Sequence, residues 1–180
     1  MATPTTLPAT FVAGAVLTAE QQNDLRGAFR ILQVASTTKT DTFSLSSATF
    51  TDVTGFSVAI TPAFTTSKVL VVVTMNVCAN WNNGNLQARL MRDSTAIAIG
   101  DAAGSRTQAS NVVASGNNFA GQTVVISFLD SPATTSSTTY KVQIRGNTAN
   151  TTVVNRDLDD SNSAQNPRTV STINVFEVSA

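Results

Sequence analysis

The chain has 180 residues, 11 cationic and 11 acidic side chains, a net charge of zero, a single cysteine and no histidine. Without histidine, the usual general acid–base and the commonest metal ligand near neutral pH are missing. A charge fraction of 12%, with no basic stripe, argues against nucleic-acid binding and against electrostatic membrane docking.

Roughly a third of the chain is Ser, Thr and Asn, and its apolar residues are mostly Val, Ala, Ile and Phe, a composition that favours strands. Its length is enough to bury a core without disulfides or metals. The longest aliphatic run, Val69 to Val73, is too short to span a bilayer, and the N-terminus lacks the positive region of a signal peptide. Low charge and a neutral pI also favour self-association.

In chain order, residues 2–16 carry Pro4 and Pro8 and then Phe11 to Val16, an extended arm that needs something to lie on. Thr18-Ala19-Glu20-Gln21 has the form of a capping box. Leu25, Ala28, Phe29 and Leu32 follow at helical spacing, so a short amphipathic helix is expected, weakened by Gly27 and too short to stand alone. From Val34 the period becomes two. Thr49 to Thr61 reads as a strand bent at Gly55, and Val69, Val71, Val73, Met75 and Val77 as one face of the next.

Trp81-Asn82-Asn83-Gly84-Asn85 reads as a hairpin turn, with Leu86, Ala88 and Leu90 on the returning strand. Ile97 and Ile99 begin a short strand, followed by a loop over Gly100–Ser115. Val124, Ile126 and Phe128 alternate, as do Tyr140, Val142 and Ile144, and Val170 to Val178 closes the chain as a strand apolar on both faces. Seven or eight short strands give an all-β, antiparallel, jelly-roll-like sandwich over residues 34–180, preceded by an anchoring arm and short α-helix over residues 1–33. Cys78 falls in a β pattern and reads as a small core residue.

Chemistry-bearing groups are sparse. Asp157, Asp159 and Asp160 with flanking Asn155 and Asn162 offer oxygens of the kind Ca²⁺ takes, but their spacing matches no ordered calcium loop. With Arg156 beside them, they read as a solvated loop holding an Arg–Asp pair. Trp81 beside Asn82, Asn83 and Asn85 is the kind of group a sugar site uses, a ring for stacking and amides for hydroxyls, or equally a turn whose Trp caps the sandwich. The glycines of Gly100–Ser105 lack the ending of a phosphate loop. No catalytic, cofactor or metal site is expected.

Phe11, Ala13-Gly14, Leu17-Thr18-Ala19 and Asn23 resemble the opening of small virion proteins of tailed bacteriophages, of minor tail, fibre or decoration type. Ile60-Thr61-Pro62, Ser67 to Leu70, Phe128-x-Asp130 with Ser131-Pro132, Tyr140-Lys141-Val142, and Ser171-Thr172-Ile173 with Glu177 are similar to a β domain that recurs in such proteins. The resemblance implies a non-enzymatic particle protein, made in the bacterial host, whose sandwich forms a homotrimer and whose N-terminus docks on other virion proteins. On that reading Phe11, Val12, Val16, Leu17, Leu25, Phe29 and Leu32 anchor the protein or join its copies. Trp81, Asn82, Asn83 and Asn85 face outward toward a host glycan. Surface fibre, capsid decoration protein and carbohydrate-binding module are the three readings in play.

Overall fold

The computed structural model describes residues 14, 16, 18, 19, 31–79, 85–114, 121–146 and 151–179, and every element in them is a strand. They are β1 (Ile31–Lys39), β2 (Phe43–Leu45), β3 (Thr51–Ile60), β4 (Lys68–Ala79), β5 (Asn85–Arg92), β6 (Thr95–Ile97), β7 (Asn111–Ala114), β8 (Gln122–Asp130), β9 (Thr138–Arg145), β10 (Thr152–Val154) and β11 (Ser171–Val178).

Sheet A is built around β4. One edge of β4 pairs with β8 along Val69–Val77; the other pairs with β11 over Lys68–Thr74 and then with β10 over Val77–Ala79. Outside these, β1 pairs with β11 and β2 with β10. β10 and β11 are therefore two pieces of one row, interrupted by an excursion over residues 155–170, and β1 and β2 are two pieces of the next, interrupted at 40–42. In sheet B, β9 lies between β3 and β5, and the far edge of β5 pairs first with β7 and then with β6. All pairings are antiparallel. The chain passes from sheet to sheet as β1–β2 (A), β3 (B), β4 (A), β5–β7 (B), β8 (A), β9 (B) and β10–β11 (A), which is the alternation of a jelly roll.

Alternation places the core. Val69, Val71, Val73 and Met75 of β4, Ile173 and Val175 of β11, and Val124 and Ile126 of β8 face Phe56 of β3, Leu86 and Leu90 of β5, and Tyr140, Val142 and Ile144 of β9. Each fully buried large side chain stabilises the fold by about 1.5–3 kcal/mol relative to an exposed one. Gly55, at φ 72°, sits in the bulge between Asp52 and Ser57 that bends β3, as the sequence indicated, in a conformation glycine adopts without strain. Cys78 is buried, and burial pushes its thiol pKa up.

Four expectations need correction. Leu32 is not on the helix stripe; it lies in β1, whose backbone is tied by its ladder to β11. β5 is not the hairpin partner of β4, because the two lie in opposite sheets; alternation tells which face turns inward but not which sheet receives the strand. The strand at Ile97 ends there rather than beginning: β6 returns on β5 through a two-residue turn whose first member, Asp93, takes φ 51°. The Gly100–Ser115 segment is not wholly loop, since Asn111–Ala114 forms β7 on the edge of β5. The helix positions Leu25 and Phe29, the arm residues Phe11, Val12 and Leu17, and the turn residues Trp81, Asn82 and Asn83 lie outside the described residues.

Candidate functional site

The two outer faces of the sandwich differ in chemistry. On sheet B the outward side chains form a polar net. Asp52 accepts from Lys141 Nζ and Gln143 Nε2, both at 2.7 Å, and Gln143 Oε1 accepts from Arg89 Nε at 2.8 Å. The Arg89 guanidinium stacks 4.1 Å from the centroid of Phe50. Partial burial raises the Asp52 pKa, but the bonds from Lys141 and Gln143 outweigh it and hold the carboxyl below its ordinary value. This is the polar outer face expected of a solvated antiparallel sheet.

At one end of that face, β5 and the loop over residues 100–110 enclose an open groove of about 580 Å³. Asn85, Gln87, Asp101, Arg106, Thr107 and Gln108 line it. Gln87 Nε2 donates to Asn85 Oδ1 at 2.9 Å, while Gln87 Oε1 is buried without a protein donor among the described residues. Amides, a hydroxyl and a guanidinium together suit a hydroxyl-rich ligand. Of the four residues expected to face a ligand, Asn85 is placed here; the sequence did not single out Gln87 or Gln108, because their grouping depends on β7 folding back along β5.

On sheet A the outward side chains are Val34, Ser36 and Thr38 from β1, Thr172, Asn174, Phe176 and Val178 from β11, Lys68, Leu70, Val72, Thr74 and Asn76 from β4, and Thr123, Val125, Ser127 and Leu129 from β8. Lys68 is the one charged group in this set, and it donates to Ser131 Oγ at 2.7 Å. Register aligns the apolar members: Val34 opposes Phe176, Phe176 opposes Leu70, and Leu70 opposes Leu129. An apolar band thus crosses the whole sheet, with Val34 56% and Leu129 53% exposed at its two margins. Ile31, 57% exposed and opposite Val178 in the adjoining row, widens it. The solvated face of an antiparallel sheet ordinarily carries polar side chains.

The upper half of the same face is covered. Val153 and Cys78 oppose each other on the outward side of β10 and β4, yet both are buried, with Arg156, Asp157 and Leu158 of the excursion lying beside Cys78. In that excursion Asp160 pairs with Arg168 at 2.5 Å and with Arg156 at 3.7 Å, and Arg156 also donates to the carbonyls of Asp157 and Leu158. The acidic loop therefore holds the Arg–Asp pair read from the sequence. Among the described residues no three His, Cys, Asp or Glu side chains group as metal ligands.

The remaining ionisable groups in the interior are tied to structural partners. Asp130 accepts from Arg92 at 2.9 and 3.0 Å and from the buried Tyr140 hydroxyl at 2.7 Å. Glu177, fully buried, accepts from Gln33 Nε2 at 2.6 Å and from the Ala63 amide at 2.7 Å. Of the anchoring residues named from the sequence, Val16 is described and is 91% exposed, while Leu32 is half-buried in β1.

No protein-family model matches the sequence, and no curated protein does. Among solved structures, the chain is similar to one from the Gt strain of infectious bursal disease virus, with 14% identity and a TM-score of 0.40 over 81% of this chain and 42% of that one. It is also similar to one from the Gx strain, with 16% identity and a TM-score of 0.39 over 83% of this chain and 39% of that one. The chain thus spans well under half the length of either.

Proposed function

We propose that this protein is a non-enzymatic structural component of a virus particle, by the resemblance of its opening residues that of a tailed bacteriophage. It forms a homotrimer, a surface fibre or knob that its N-terminal arm anchors to other virion proteins. The observation that carries this reading is the apolar band across the bare half of sheet A. A freely soluble monomer has no use for an apolar band on a face that is uncharged but for one paired lysine, whereas an assembly protein does. Two features support it. The described interior uses its acids and tyrosine to close the fold, and the sequence lacks the histidines on which most hydrolytic chemistry depends.

Light scattering behind size exclusion on the full chain tests the reading. A trimer is expected, and Leu25→Asp or Phe29→Asp should disperse it while the far-UV spectrum stays that of a β protein. A monomer at tens of micromolar would sink the self-assembly.

A capsid decoration protein is the second reading, favoured by the same apolar band, which suits lying against a shell. It predicts that the chain binds empty capsid shells and raises their disruption temperature. A fibre binds host cells or their polysaccharide instead.

A further inference from the structure

We infer that the bare half of sheet A receives the N-terminal arm of a second copy of this chain, with the segment Phe11–Leu17 lying across the band from Val34 to Leu129. The inference rests on the self-assembly proposed above and names the surfaces that make it.

Three observations converge. First, the face is covered over one half by the excursion of residues 155–170 and bare over the other, so what it lacks is a cover of limited size. About 14 Å separates the outer rows of a four-row sheet, three spacings of about 4.8 Å. Seven extended residues reach about 23 Å, enough to cross it.

Second, the segment Phe11-Val12-Ala13-Gly14-Ala15-Val16-Leu17 holds no charged or hydrogen-bonding side chain. It matches a band whose one nearby charge is already bonded to Ser131. An arm with acidic or basic side chains would leave them facing Phe176 and Leu70, so the complementarity is specific to apolar chain.

Third, Val16 is 91% exposed in the single chain, so this member of the segment does not cover its own sheet. Val16 and the band are two apolar surfaces on one molecule, each exposed. Joining them between copies covers both, and since every copy gives an arm and offers a face, the contact runs head to tail and makes a closed trimer when the rotation between copies is threefold.

The test cross-links two singly substituted full-length chains, Val16→Cys and Ser127→Cys. Ser127 is exposed on the outward side of β8, in the row next to Leu129, and Cys78 is buried and stays unreactive. The mixed chains are treated with a short bis-maleimide and read on a denaturing gel. Val16–Ser127 heterodimers are expected as the main product, and adding Leu70→Lys to the Ser127→Cys chain should abolish them. Predominant Ser127–Ser127 dimers would show two faces packed together and overturn the inference. So would a doubly substituted chain that cross-links within itself at high dilution, which would put the arm on its own sheet. Absence of any cross-link while light scattering still reports a trimer overturns the arm exchange and leaves self-assembly through another surface. A monomer by scattering removes the reading beneath it.

Discussion

The Ser171 hydroxyl donates a 2.6 Å hydrogen bond to Asn155 Oδ1 at the place where two neighbouring rows of sheet A break side by side. Asn155, fully buried at φ 62°, carries the other half of the repair. Its Nδ2 donates to the carbonyls of Lys39 and Asp41 at 2.8 and 3.1 Å, across the gap between β1 and β2. Its backbone amide donates to the Asn76 carbonyl, and the Asn76 amide in turn donates to Ser171 Oγ. One side chain therefore replaces the ladder bonds that both interruptions remove, and the excursion over residues 155–170 can leave the sheet without unzipping it.

Asn155→Ala should destabilise the fold by roughly 3–5 kcal/mol, since it strands buried carbonyls and removes the polar side chain through which Asn tolerates the left-handed region. Asn155→Gly loses the same bonds but relieves the backbone, so it should cost about 1 kcal/mol less than the alanine variant. Ser171→Ala should cost about 2–3 kcal/mol. Urea unfolding measures all three, and changes below about 0.5 kcal/mol would mean the junction is not structural.

Tyr140 governs the alkaline limit. Burial, then the hydrogen bond to Asp130, push its phenol well above the ordinary value of 10.0. The folded state thus favours the protonated phenol. That contribution is complete below pH 10 and is lost as pH climbs above it, because the unfolded chain releases the proton first. Tyr140→Phe should cost about 1.5–3 kcal/mol at neutral pH and flatten the fall in stability above pH 10. If the variant falls as steeply as the parent, the alkaline loss belongs to another group.

How much of this was legible in the sequence follows from what each element buries. β4, β8 and β9 hide one face each, so Val69 to Val77, Val124 to Phe128 and Tyr140 to Ile144 announce themselves by alternation. β10 is three residues long and buried on both sides, so Thr152, Val153 and Val154 show no period at all. β7 follows a run of Gln, Ala and Ser, and forms because the edge of β5 is free to pair with it. The apolar band is harder still. Val34, Leu70, Leu129 and Phe176 come from four distant segments, and a shift of register on any one strand would dissolve the row. Sequence periodicity gives faces; alignment across strands needs the pairing.

Glu177 supports the segment between β3 and β4. Its two carboxylate oxygens accept from two different donors, Ala63 N at one and Gln33 Nε2 at the other. Glu177→Gln keeps the shape but turns one oxygen into an amide nitrogen, so a donor must face a donor. Loss of about 2 kcal/mol or more is expected for the glutamine, close to that of Glu177→Ala. Thermal unfolding of the two variants decides it. A glutamine variant as stable as the parent would mean the site needs only volume.

Ile126 and Leu129 stand on the same strand and face opposite ways, so they separate folding from assembly. Ile126 is buried against the core at 5% exposure, and Ile126→Ala should cost about 2–5 kcal/mol through a cavity while the surviving folded protein keeps its oligomeric mass. Leu129 lies at the margin of the outer band, paired with Leu70. Leu129→Lys places a charge in solvent in the single chain and should move its stability by no more than about 0.5 kcal/mol. In the assembly the same ammonium would be trapped against apolar chain, which costs far more than the side chain's own contacts were worth. Light scattering and urea unfolding on both variants should therefore give opposite patterns: mass unchanged with stability lost for Ile126→Ala, stability unchanged with mass lost for Leu129→Lys. If Leu129→Lys keeps the oligomer intact, the outer face of sheet A is not where copies of this chain meet.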